Sequence, residues 1–162
     1  MAISFDLEEY SAASTVDQAV TAIKYGSTTS ATAGAAITAG NRSFVKNHKC
    51  KFANDSGDPA ATISVLTIDR TDSVTLDGSA TIRLGIGTGF TTRDANELDV
   101  TGGTADFTSN TTPPTITAPS GSIAGGANAS STDFVKTQIV TTASSTAGAS
   151  GITYTFQYTV TS

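Results

Sequence analysis

Between Ile152 and Val160 the chain alternates without a fault: Ile152, Tyr154, Phe156, Tyr158 and Val160 are apolar or aromatic, and Thr153, Thr155, Gln157 and Thr159 lie between them. Successive side chains of an extended backbone point to opposite faces, so this pattern specifies a strand with one face in a core and the other in water. A lone strand exposes a row of backbone donors and acceptors, and this one carries no Lys or Pro to blunt it, so something must pair with it. Composition agrees with that demand. Thr and Ser make up about three residues in ten, and β-branched Thr, Val and Ile favour pleated surfaces over helices, while 15 Gly supply turns. At 162 residues one domain can bury a real core. The expectation is an all-β, antiparallel sandwich or jelly-roll-like body.

Other turn and strand signals divide the chain. Residues 1–42 read as a flexible N-terminal arm and residues 43–162 as the β-body. Within the arm, Phe5, Leu7 and Tyr10 are interleaved with Asp6, Glu8 and Glu9. Ser14-Thr-Val-Asp17 has the spacing of a helix cap, with Val16, Ala19, Val20 and Ile23 following at helical intervals and Gly26 available to end the turn, so a short helix over 15–25 is expected. Ser27–Gly40, nearly devoid of large side chains, reads as a tether. In the body, Phe44–Phe52 reads as a strand closed by the turn Asn54-Asp-Ser-Gly-Asp-Pro59, and Ala61–Ile68 as the next. Asp77-Gly78 between Val74–Leu76 and Ala80–Leu84 has the signature of a tight hairpin, Gly85, Gly87 and Gly89 suggest a break or bulge, and Glu97–Val100 and the neighbourhood of Ile116 suggest further short strands. Phe134–Val140 is expected to form a C-terminal hairpin with the strand at 152–160.

Catalysis leaves little room in this sequence. One histidine is present, so a nucleophile–base pair must use His48, and Cys50, two residues along the same strand face, stands about 6–7 Å away, too far for direct proton transfer. The same pair lacks the two further soft ligands of a zinc site. Asp55, Asp58, Asp69, Asp72 and Asp77 cluster around turns, as a calcium site requires, but Asp-Ser-Gly-Asp and Asp-Gly are ordinary turn chemistry and no closing Glu follows. Gly85-x-Gly-x-Gly89 is followed by Phe90-Thr-Thr-Arg-Asp94, a poor helix start, and so lacks the context of a phosphate-binding loop. No catalytic residue, metal or cofactor is therefore expected. A net charge of -5 argues against a nucleic-acid partner, and neither a polybasic anchor nor a membrane-length apolar run is visible. Met1–Glu9 has acid where a signal peptide needs base. The lone Cys50 cannot form an internal disulfide, which fits a reducing compartment.

One electrostatic feature stands out. Arg42, Lys46, Lys49 and Lys51, with His48, fall within ten residues of an otherwise acidic chain. They read either as a solvated strand whose Lys residues protect an edge, or as a docking patch for an acidic surface such as the Asp6/Glu8/Glu9 arm of a neighbouring copy.

A small, acidic, Ala/Gly/Ser/Thr-rich β-domain with a long N-terminal arm and no active-site constellation resembles, in layout, the capsid decoration or cement proteins of tailed bacteriophages. The resemblance implies a structural protein of the virion surface, made in the host cytoplasm, that forms homotrimers and reinforces a shell of major capsid protein. Phe5, Asp6, Leu7, Glu8, Glu9 and Tyr10 would then be arm contacts. The alternatives are an extracellular fibre or surface-layer subunit assembled by strand complementation, and a carbohydrate-binding β-sandwich using Tyr154 and Tyr158 or the Asp loops.

Overall fold

The computed structural model describes residues 2–25, 36–71, 76, 80–92, 107, 112–146 and 152–162. Among the described residues nine strands form in chain order: β1 (Ile3–Ala12), β2 (Thr15–Val20), β3 (Lys46–Asn54), β4 (Ala61–Arg70), β5 (Thr81–Gly87), β6 (Ser122–Ile123), β7 (Asn128–Ser130), β8 (Phe134–Val140) and β9 (Tyr154–Thr161). Among the described residues there is no helix. The larger sheet runs β2-β1-β3-β8-β5, with β7 paired to β3 beyond the end of β8, and the smaller runs β6-β4-β9; every pairing is antiparallel. The two sheets face each other as a β-sandwich.

The alternation at 152–160 does what it specifies. Tyr154, Phe156, Tyr158 and Val160 pack onto the core, while Gln157 and Thr159 face solvent. The partner of this strand is β4, not β8: Ile63 pairs with Val160 and Ile68 with Phe156, and β8 belongs to the opposite sheet. The expected C-terminal hairpin is therefore a crossover between layers. Phe5 of β1 meets Phe52 of the neighbouring β3 at 5.5 Å and, across the layers, Phe156 at 5.4 Å and Tyr158 at 5.9 Å between ring centroids. Edge-to-face and offset rings of this kind contribute beyond their buried area. Cys50, Ile63, Leu66, Ile68, Ile82 and Leu84 fill the rest of the interior.

The N-terminal segment is not an arm through residue 20. Strand β1 pairs along its length with β3, from Ile3 opposite Asn54 to Tyr10 opposite Asn47, and is an inner strand of the sheet. The segment expected to be helical is strand β2, folded back on β1 with Leu7 opposite Val20, Glu9 opposite Gln18 and Ala12 opposite Thr15. The reason is physical. An isolated helix of ten residues is marginal, Thr15, Val16, Val20 and Thr21 lose side-chain freedom in one, and β1 offers an open row of backbone partners. Most of the tether, 26–35, lies outside the described residues, as do most of the Asp77-Gly78 hairpin and the 97–100 strand. Gly85 and Gly87 do not break their strand: they stay in register opposite Lys136 and Phe134. Near Ile116 the chain runs extended beside β4, where Ile116 N–H donates to Leu66 O at 2.8 Å and Ile68 N–H to Pro114 O at 3.1 Å.

Among the described residues, strand β4 carries the one non-glycine residue with positive φ. Ser64 pairs with Thr159 and Thr67 with Gln157, so β4 advances three residues while β9 advances two. That extra residue is a bulge, and Val65 sits in it with φ 52° and its side chain 68% exposed.

Candidate functional site

The basic strand and the acidic lead, read from sequence as a docking patch and its complement, are neighbours in one sheet. Antiparallel register puts Asp6 opposite Lys51, Glu8 opposite Lys49 and Glu9 opposite His48. Lys51 Nζ donates to Glu8 Oε1 at 2.8 Å on the outer face, and this hydrogen bond, first of all, raises the Lys51 pKa. On the inner face, Lys46 Nζ lies 3.1 Å from Glu9 Oε1 with both side chains fully buried, and His48 Nε2 stands 3.9 Å from Glu9 Oε2. Lys49 places its ammonium 4.6 Å from the centre of the Phe134 ring, which Tyr10 meets edge-on at 5.3 Å. Burial and the nearby Glu8 carboxylate raise the Tyr10 pKa. Of the four basic residues, only Arg42, which bridges Val140 through its backbone, is exposed. Lys46, Lys49 and Lys51 thus do not form a free docking patch, and Phe5–Tyr10 do not form a free arm, because each set is engaged within the chain.

The outer face of the larger sheet is covered further by the segment after β5. Asn47 and the backbone of Thr91 exchange hydrogen bonds of 2.8 and 3.1 Å, Lys136 Nζ donates to Gly89 O at 3.1 Å, and Phe90 meets Phe134 at 5.8 Å. A Cβ at Gly87 would stand 3.9 Å from the Lys136 ammonium, an ordinary contact.

Above the buried Glu9–Lys46 pair, Tyr25 ties the layers together. Its hydroxyl donates to Thr137 Oγ1 at 2.8 Å in the larger sheet and shares a 2.8 Å hydrogen bond with the Tyr154 hydroxyl of β9 in the smaller. Burial pushes the Tyr25 pKa up to about 12. Nothing local in the sequence marks this strap; its partners lie more than a hundred residues away.

The chemistry of the remaining candidates is quiet. Cys50 is buried and its thiol is pushed up to about 12 by burial, so it holds little thiolate at neutral pH. Asp58 Oδ2 accepts the Ala2 N–H at 2.7 Å and Asp69 Oδ1 the Arg70 N–H at 2.8 Å, the roles of turn and strand-end carboxylates. Asp72 and Asp77 lie outside the described residues, and among the described residues no three His, Cys, Asp or Glu side chains group to hold a metal. No described helix is long and apolar enough to cross a membrane. Tyr158 is stacked on Phe5 and meets Phe52 edge-to-face, and Tyr154 is stacked on Phe107 at 6.1 Å, so neither ring lies open as a platform for a sugar.

A more open feature is the edges. Strand β2 ends the larger sheet and β9 ends the smaller, and neither contains Lys, Arg or Pro. On β2 four of the six residues are exposed, including Val16 at 44%. A scan against protein-family models, a search of curated proteins and a search of solved structures each found no match.

Proposed function

We propose that this chain is a structural building block that grips copies of itself and an assembled protein lattice, in the manner of a capsid decoration protein. The observation that carries this reading is that, among the described residues, β2 and β9 are terminal strands of their sheets and neither contains Lys, Arg or Pro. Sheet edges of that kind are what stand-alone soluble proteins blunt and what assembling ones use. Binding at junctions that exist only in the assembled shell stabilises the shell by mass action, and several copies in one oligomer raise the effective concentration of each contact. The test is to add purified protein to undecorated phage heads: co-sedimentation and a higher rupture temperature are expected, and unchanged particles without bound protein would refute the reading.

The same edges favour a second reading, a fibre or surface-layer subunit in which a strand from the next copy adds to β9. Concentration-dependent filaments in the purified protein, seen by electron microscopy, would favour it over shell decoration.

A further inference from the structure

Val65 is a β-branched residue held at φ 52°, a backbone region that such side chains rarely adopt, and it holds an aliphatic side chain 68% in water. The bulge serves the core, since it lets Ile63 and Leu66, three residues apart, share the inner face, but that role calls for neither β-branching nor an apolar side chain at position 65. The bulge between Ser64 and Thr67 is what turns this side chain outward, while Ile63, Leu66 and Ile68 on either side remain in the core. A strained, exposed Val where the core would accept Gly or Asn points to a use of that side chain elsewhere.

The surroundings indicate what that use is. Val65 projects from the outer face of β4 and β9, among Ser64, Thr67, Gln157 and Thr159. On that face the two strands offer a single charge, Asp69, whose carboxylate is already bonded to the Arg70 N–H, and Arg70 itself is buried. An acidic partner would need cations here and a basic one would need free carboxylates. A neutral hydroxyl-rich face meets its own image without electrostatic cost even though the chain carries a net charge of -5. A two-fold contact also counts one apolar projection twice.

We infer that the outer face of β4 and β9 is an interface between two copies of this chain, with Val65 as its anchoring side chain. The inference rests on the reading of the chain as a self-associating building block and locates one of its contacts away from the β2 and β9 edges. Val65→Gly and Val65→Asn both suit a positive φ, so each should fold with a melting temperature at or above that of the parent chain. Each should also weaken dimerisation by about a hundredfold, the scale of losing an anchor on both sides of a symmetric contact, whereas Val65→Ile should retain it. Sedimentation equilibrium of the full chain over a wide concentration range reads all four proteins. Loss of the dimer in the Gly and Asn variants with unchanged melting supports the inference. Self-association of equal strength in all four overturns it and leaves the building-block reading standing. A monomeric parent chain at every concentration overturns it as well, and the shell-binding test then decides the broader reading separately.

Discussion

Removing one member of the buried Glu9–Lys46 pair should cost far more than removing both. The two side chains are fully buried 3.1 Å apart, so Lys46→Met takes that ammonium away from Glu9, whose other carboxylate oxygen stands 3.9 Å from His48 Nε2. Stranding a charge in this way costs about 3–5 kcal/mol. In a domain of this length each kcal/mol lowers the melting temperature by about 2–4 °C, so the single variant should melt roughly 6–20 °C lower. Adding Glu9→Leu removes the stranded charge and fills the space with carbon, and exchanging a buried ion pair for apolar side chains is commonly neutral or stabilising. The double variant should therefore recover most of the loss. Urea unfolding followed by circular dichroism measures all three chains, with the Glu9→Leu single variant closing the cycle. If Lys46→Met costs less than about 1 kcal/mol, the range of an exposed pair, or if the double variant is no better than the single, the pair is not dry and the reasoning fails.

Three further outcomes follow from the packing and from the shifted groups. A Cβ at Gly125 would lie 2.4 Å from the Asp58 carbonyl oxygen, so Gly125→Ala must displace backbone in the turn between β3 and β4 and should lower stability by about 1–3 kcal/mol, measured by thermal melting. Cys50, with its thiol pushed up to about 12, should not react with Ellman's reagent in the native protein and should react within minutes in denaturant. The Tyr25 phenol is raised from its ordinary 10.0 to about 12, so the folded state favours its protonated form; its contribution to stability is fully present below pH 10 and is lost as the pH rises through about 12. Tyr25→Phe should flatten that part of the alkaline unfolding profile, read by far-ultraviolet circular dichroism.

Much of the sandwich was legible because its strands carry period-two patterns. The alternation at 152–160 is the clearest, and Ile63, Leu66 and Ile68 mark the inner face of β4 even though two residues, Ser64 and Val65, separate the first two. That surplus residue is the bulge, visible in the sequence as a slip of the alternation. Ile3, Phe5 and Leu7 also alternate with Ser4, Asp6 and Glu8, which is a strand pattern. The charges of Asp6, Glu8 and Glu9 made the segment look solvated, and what neutralises them lies on β3, about forty residues further on. A short-range pattern cannot show a long-range pairing. For the same reason β2 reads as a helix by its own spacing and becomes a strand because β1 is beside it. The Glu9–Lys46 pair and the Tyr25 strap were out of reach, since each exists only once the sheets have met.

The contact of Phe5 with Phe156 and Tyr158 has a kinetic consequence. Strands β1 and β9 lie some 150 residues apart along the chain and yet share one aromatic cluster. Closing a loop of that size costs entropy before any contact repays it, and folds dominated by such distant pairings are slow, forming in milliseconds to seconds. Until β9 arrives, the rings of Phe5 and Phe52 remain uncovered, so the interval before closure is when this chain is most exposed to aggregation.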